Sequence, residues 1–220
     1  MKLDRVQAVL LDLDGVVYLE RTLIPGAAAA IRTMRARVFR VGFITNNATA
    51  TRAAFATRLT ALGIPCTRAE VMTASFAAAA FLRRILPRGA RVFAFGRHGL
   101  GRELRAVGLT PITALTRARC AALRAAHTAP RAVAVSFDHE LSWWQLCAAH
   151  IALERGARFI ACNHDETYPV RGGTFPGTGS LVKLFESSTG RTSVLVGKPS
   201  PLIARLLLGE WGIRRRSGLA

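Results

Sequence analysis

Long apolar runs are missing from this 220-residue chain. The longest, around Leu146 to Leu153, is broken by His150 and stops at Glu154, short of the ~18 apolar residues of a membrane helix. The amino terminus, Met-Lys-Leu-Asp-Arg, has no apolar stretch leading to a cleavage site, which argues against a secretory signal. Cysteine is sparse, at 66, 120, 147 and 162, and forms no Cys-x-x-Cys pair. That pattern excludes a disulfide scaffold and points to reduced thiols in a cytoplasm. Low-complexity stretches and internal repeats are absent. Acidic residues number 13 against 31 basic ones, a net charge of +18, yet lysine occurs only at Lys2, Lys183 and Lys198. The arginines are scattered, apart from Arg214-Arg215-Arg216, and no aromatics alternate with them as a base-stacking platform would require. A basic, catalytically inactive protein that binds nucleic acid or other anions is thus an alternative resting on net charge alone. A field favouring small anionic substrates is the better expectation.

Apolar residues are abundant, at 50% of the chain, enough for a sizeable core. They recur as short buried runs alternating with helical patterns. Runs at Val6–Leu13, Val38–Ile44, Val92–Phe95, Ala132–Phe137, Phe159–Ala161 and Thr192–Val196 predict strands. Helices are expected over Gly26–Arg37, Thr51–Leu62, Ser75–Leu86, Ser180–Ser187 and from Pro201 to Leu208. Such alternation predicts an α/β fold with a parallel sheet and helices on both faces. Trp143-Trp144 with Cys147 and Ile151 is expected to form the core face of a further helix, or else a contact between two copies of the chain.

Ligands of open α/β sheets bind at the carboxyl ends of the strands. The first run ends in Asp12-Leu13-Asp14-Gly15, the second in Thr45-Asn46-Asn47, and the last in Gly197-Lys198-Pro199. Singly, each is ordinary: a pair of acids or a Thr-Asn-Asn is more often a helix cap or a turn, and Gly-Lys-Pro a solvated loop. Together they supply two carboxylates, a hydroxyl with two amides, and an ammonium. That set suits phosphoryl transfer, with one carboxylate attacking phosphorus, the second moving the proton, and hydroxyl and ammonium holding phosphoryl oxygens. Two carboxylates facing a phosphate dianion repel one another, so Mg²⁺ on oxygen ligands is expected.

These motifs, as Leu11-Asp12-Leu13-Asp14-Gly15-Val16-Val17-Tyr18, Ile44-Thr45-Asn46-Asn47-Ala48-Thr49 and Val196-Gly197-Lys198-Pro199, resemble the haloacid dehalogenase superfamily. Asn163-His164-Asp165, Thr167-Tyr168-Pro169 and Pro176-Gly177-Thr178-Gly179-Ser180 are similar to its NagD-like, 4-nitrophenylphosphatase and phosphoglycolate phosphatase branch. The resemblance implies a Rossmann-like core, residues 1–86 plus 190–220, with an inserted α/β cap of the C2 type at 87–189. It implies a cytoplasmic phosphatase of small phosphomonoesters working through an aspartyl-phosphate. Asp12 would be the nucleophile, Asp14 the general acid and base, Thr45 and Lys198 the groups on the phosphoryl oxygens. Mg²⁺ would take the Asp12 side chain and the Asp14 main-chain carbonyl. Asn46 and Asn47 would face the substrate, as would Asn163, Asp165 and Tyr168 on a loop from Asn163 to Gly179, and the cap would pair two copies. The branch's further Gly-Asp-Arg-x-x-Thr-Asp segment, with another metal-binding aspartate, is not found after Lys198. The expectation is a frameshift or truncation near Arg214, or else a genuine short form, with a weakened Mg²⁺ site in either case.

Overall fold

The computed structural model describes residues 6–37, 39–96, 98–113, 129–137, 140–170 and 172–213. Cys120, the first five residues and residues 214–220, including the arginine run and the expected frame change, lie outside them.

The first half of the chain runs β1 (Ala8–Asp12), β2 (Tyr18–Leu19), β3 (Thr22–Leu23), α1 (Ala27–Ala36), β4 (Arg40–Thr45), α2 (Arg52–Ala61), β5 (Val71–Thr73) and α3 (Ala74–Ile85). Strands β1, β4 and β5 form a parallel sheet in that order, with Asp12 beside Ile44 and Thr45 beside Thr73. Parallel pairing brings the carboxyl ends of all three strands to one edge, and there the Asp12 and Thr45 motifs meet. The starts of α2 and α3 are set by hydroxyl caps. The Thr51 side chain accepts from Ala54 N at 3.3 Å and that of Thr73 from Phe76 N at 3.2 Å. Each such cap contributes about 1 kcal/mol.

A second sheet follows, built from β6 (Arg91–Phe95), β7 (Thr110–Ile112), β8 (Ala132–Val135), β9 (Arg158–Ala161) and β12 (Val194–Leu195). All its pairings are parallel, in the order β12-β9-β8-β6-β7. Helices α4 (His98–Ala106), α5 (Trp143–Glu154) and α6 (Thr178–Thr189) connect its strands, and α7 (Leu202–Glu210) ends the described chain. The expected last strand exists but is short, and Val194 pairs with Ile160 of the second sheet. Its partner is set by tertiary packing, which local composition does not specify.

Side-chain alternation sorts the second sheet into a small face and a large one. Val92, Ala94, Ala132 and Ala134 share a buried cluster with Ala77, Ala78 and Leu82 of α3 and Ile203, Leu206 and Leu207 of α7. Phe93, Phe95, Val133, Val135 and Phe159 face Ala148, Ala149, Leu153, Val182 and Phe185 of α5 and α6. Alanines on the first face allow the alanine-rich α3 to pack close, so one core joins both sheets. Behind the first sheet, Phe43 and Val71 pack with Tyr18, Ile31, Phe55 and Leu59.

Two expectations are corrected. Trp143 is 70% exposed and Trp144 is partly exposed, so they are not the core face of α5; Gln145, Ala148, Ala149, Ala152 and Leu153 are. The helix is apolar nearly all round, which leaves its periodicity uninformative. The segment between Asn163 and Gly179, expected as a loop, contains a hairpin of β10 (Thr167–Val170) and β11 (Gly173–Pro176). Its β11 residues are all exposed, which removes the apolar alternation that marks a strand. Among the described residues, no helix is long and apolar enough to cross a membrane.

Candidate active site

Asp12, the last residue of β1, is reached by the Lys198 ammonium, which forms an ion pair with its Oδ2. Its other oxygen, Oδ1, accepts from Leu13 N at 2.8 Å. Asp14 is exposed as a residue, but its carboxyl turns towards Thr45, whose Oγ1 lies 3.5 Å from Asp14 Oδ2. Crowding of that carboxyl by protein, and then the charge of Asp12, push its pKa above the usual carboxylate value. Thr45, Arg58 and Lys198 pull the other way. Thr45 is buried and its Oγ1 also accepts from Asn47 N at 3.0 Å. A β-branched hydroxyl at the end of a buried strand is therefore fixed in direction, between an acid and a turning backbone.

The Asn-Asn pair divides its work. Asn46 Oδ1 accepts from Lys198 N at 2.7 Å, and its Nδ2 donates to Lys198 O at 3.1 Å and to Asp165 Oδ2 at 3.3 Å. Asn47 Oδ1 accepts from Thr49 N at 3.1 Å and from Thr49 Oγ1 at 2.7 Å, which folds the loop back on itself. Asn163 Nδ2 donates to Asn46 O at 3.1 Å, and Asn163 Oδ1 accepts from Asp165 N at 3.0 Å. The 164–166 stretch is tied down from α6, where Gly177 N donates to Glu166 O at 2.7 Å and Gly179 N to Asp165 O at 2.8 Å. That is the local reason for the Pro176-Gly177-Thr178-Gly179 pattern.

Asp12, Asp14, Thr45, Asn46, Asn47, Asn163, Asp165 and Lys198 thus belong to one connected neighbourhood. Tyr168 stands apart. It is edge-on to Phe137 at 4.6 Å between ring centroids and to Phe175 at 5.8 Å. No contact found among the described residues joins it to the carboxylates. His150 meets Ser188 Oγ at 3.1 Å and Glu154 at 3.2 Å, and Cys147 packs against the core on the large-residue face of the second sheet.

Two contributors escape sequence reading. Arg58, one arginine among many, stands 5.9 Å from the ring of buried Tyr18 and lowers the pKa of Asp14 by its charge. Gly197 is enclosed: a Cβ there would overlap the Cys162 carbonyl oxygen and lie 2.6 Å from Asn46 Oδ1. A glycine immediately before the lysine was the available signal, but its reason is visible only in three dimensions.

The donor set fits a hard divalent cation. Asp12 offers a carboxylate oxygen and Asp14 a main-chain carbonyl oxygen, and the repulsion between their two carboxyl groups is only partly offset by Lys198. Among the described residues no group of three histidine, cysteine or acidic side chains is placed to hold a metal. Mg²⁺ is commonly bound by one or two carboxylates, with water and phosphate oxygens completing its shell, and Asp12 meets that requirement.

Comparison with known proteins agrees with the geometry. The family described as haloacid dehalogenase-like hydrolase matches residues 9–110. Glycerol-3-phosphate phosphatase of Gallus gallus is 36% identical, over 96% of this chain and 71% of its own length. Among solved structures, glycerol phosphate phosphatase of Mycobacterium tuberculosis in complex with magnesium superposes with a TM-score of 0.81 at 32% identity, covering 95% of this chain and 60% of that one. The p-nitrophenyl phosphatase of Archaeoglobus fulgidus gives 0.84 at 30% identity, covering 94% and 75%. The chain thus spans between three fifths and three quarters of the length of these relatives.

Proposed function

The chain belongs to the haloacid dehalogenase-like hydrolases, and on that footing we propose that it hydrolyses small phosphomonoesters through an aspartyl-phosphate on Asp12. The carrying observation is the convergence of three strand-end motifs: Lys198 on Asp12, and Thr45 Oγ1 between Asp14 and the turn at Asn47. The named activities of the relatives, glycerol phosphate and 4-nitrophenyl phosphate hydrolysis, set the substrate class.

In the first step an Asp12 carboxylate oxygen bonds to phosphorus while the ester P–O bond breaks. Asp14, protonated, gives its proton to the departing oxygen, which leaves as an alcohol. In the second step Asp14, now a carboxylate, takes a proton from water; the hydroxide bonds to phosphorus and the P–O bond to Asp12 breaks. Phosphate leaves and both acids are restored. A raised pKa suits Asp14 to carry the first proton, and an arriving phosphate dianion raises it further. Lys198 and Thr45 meet phosphoryl oxygens as charge develops on them. The Asp12 carboxylate and the Asp14 main-chain carbonyl would hold Mg²⁺, which when bound offsets the charge of the carboxylates and the phosphoryl group. The +18 net charge adds a field that draws anions to the site.

Residues 87–189 act as a cap that excludes water and selects the leaving group. Support comes from Asn163 and Asp165, which reach Asn46 beside the carboxylates. Phosphate release from 4-nitrophenyl phosphate with Mg²⁺, compared between this chain and Asp12→Asn, tests the reading. Loss of turnover in the variant is expected, and equal rates would remove Asp12 as nucleophile.

A further inference from the structure

We propose that Asn46 is a positioning residue: its side-chain amide clamps the main chain of Lys198 and so sets where that ammonium meets Asp12. The kinetic consequence rests on the phosphatase reading above; the clamp itself rests on geometry alone. Asn46 and Lys198 are 152 residues apart, yet one amide satisfies both main-chain polar groups of Lys198, accepting from its N at 2.7 Å and donating to its O at 3.1 Å. A neighbouring strand would do the same for a residue in a sheet. Here the next residue, Pro199, has no N–H to offer, and Gly197 leaves the space that the Asn46 amide occupies.

The consequence follows from the lysine side chain. Its four-carbon stem is flexible, so the ammonium is no better placed than the backbone that carries it. Asn46 is itself fixed from the inserted segment. Its carbonyl accepts from Asn163 Nδ2 at 3.1 Å and its Nδ2 is shared with Asp165 Oδ2 at 3.3 Å. Three loops from distant parts of the chain thus lock at one amide. A side chain contacting substrate would keep an amide atom for it, whereas both atoms of Asn46 are engaged within the protein. Only an amide presents an acceptor and a donor side by side at this reach; aspartate keeps the first and loses the second.

The chain has just three lysines, Lys2, Lys183 and Lys198, so ¹³Cε-lysine labelling gives a sparse spectrum in which Lys198→Arg assigns the Lys198 signal. Lys183, paired with Glu166 at 2.5 Å, is the internal control. For Asn46→Ala, the Lys198 signal should move to the position of a solvent-averaged lysine while that of Lys183 stays. With 4-nitrophenyl phosphate, kcat should fall about tenfold or more with KM little changed. If Asn46→Ala fails to fold, Asn46→Asp, equal in shape, should give the same direction of change. An unmoved Lys198 signal with a raised KM and an intact kcat would overturn the clamp and make Asn46 a substrate contact. If the parent chain shows no phosphatase activity, the spectrum alone decides: a moved signal upholds the clamp and an unmoved one overturns it.

Discussion

Replacing Gly197 by alanine puts a methyl group where the Cys162 carbonyl oxygen already sits, 2.6 Å from Asn46 Oδ1. Neither neighbour is the free end of a flexible side chain. The carbonyl follows β9, and the Asn46 amide is held by Lys198 and Asp165. Relief requires the Gly197–Lys198 backbone to back away by about 1 Å, and overpacking of this kind costs about 1–3 kcal/mol. For a chain of this size that lowers Tm by roughly 2–4 °C per kcal/mol. The catalytic loss should be larger. A reacting group displaced by about 1 Å loses on the order of a hundredfold in rate, and Lys198 is the next residue. Gly197→Ala should therefore stay folded by circular dichroism, melt a few degrees lower, and hydrolyse 4-nitrophenyl phosphate about a hundredfold more slowly. A variant within twofold of its parent would refute the reasoning, since the Lys198 loop would then have moved without consequence for the ammonium.

Asp14→Asn removes the proton donor, so kcat/KM, which reports the leaving-group step, should fall on the order of 10²–10⁴-fold for an alkyl phosphate and less for a leaving group that departs without a proton; a uniform loss of kcat/KM would assign Asp14 elsewhere. In metal-free buffer the same variant should be the more stable one at neutral pH. Burial and Asp12 raise the pKa of Asp14, so its ionised form is penalised in the native state. Its favourable contribution is present below the ordinary carboxylate pKa and lost as pH rises through the raised one. The Tm gain should accordingly vanish in acid, and a gain that persists there contradicts the assignment. Thr45→Val removes a hydrogen bond that lowers the Asp14 pKa, so the alkaline limb of kcat/KM should move to higher pH; an unmoved limb would separate Thr45 from Asp14. Arg52 donates through Nε to Val71 O at 2.6 Å, pairs with Glu210 at 2.7 and 3.1 Å, and covers the Phe76 ring at 4.0 Å. With Glu210 partly in solvent, Arg52→Ala should cost about 2 kcal/mol, read by urea unfolding, and a loss below 0.5 would be too small for an unpaired buried carbonyl.

The strands that end at Asp12 and Thr45 were legible because each is a short, continuous apolar run followed at once by polar residues. Parallel pairing then had only one way to bring those residues together. Helix boundaries followed from threonine caps, proline and glycine, and they fall within a few residues of expectation. Val71–Thr73 and Thr110–Ile112 were too short to show a period. The β10–β11 hairpin was hidden because its exposed faces carry no apolar alternation. Large apolar residues suggest burial, but Trp143 is exposed on α5, which removes the core-face reading and not the alternative of a contact between two copies. At the site, residue types pointed to the chemistry. The link between Asn46 and Lys198 depends on two loops 152 residues apart and left no local trace. Arg58 carried no distinguishing mark in an arginine-rich chain.

The central claim is a covalent phosphoryl group on Asp12. The direct measurement is acid quenching during turnover of 4-nitrophenyl phosphate with Mg²⁺, followed by peptide mass spectrometry. A phosphoryl mass on the peptide containing Asp12, absent from Asp12→Asn, is the predicted result. Steady turnover with no such adduct, or the same adduct and rate in Asp12→Asn, would contradict the account.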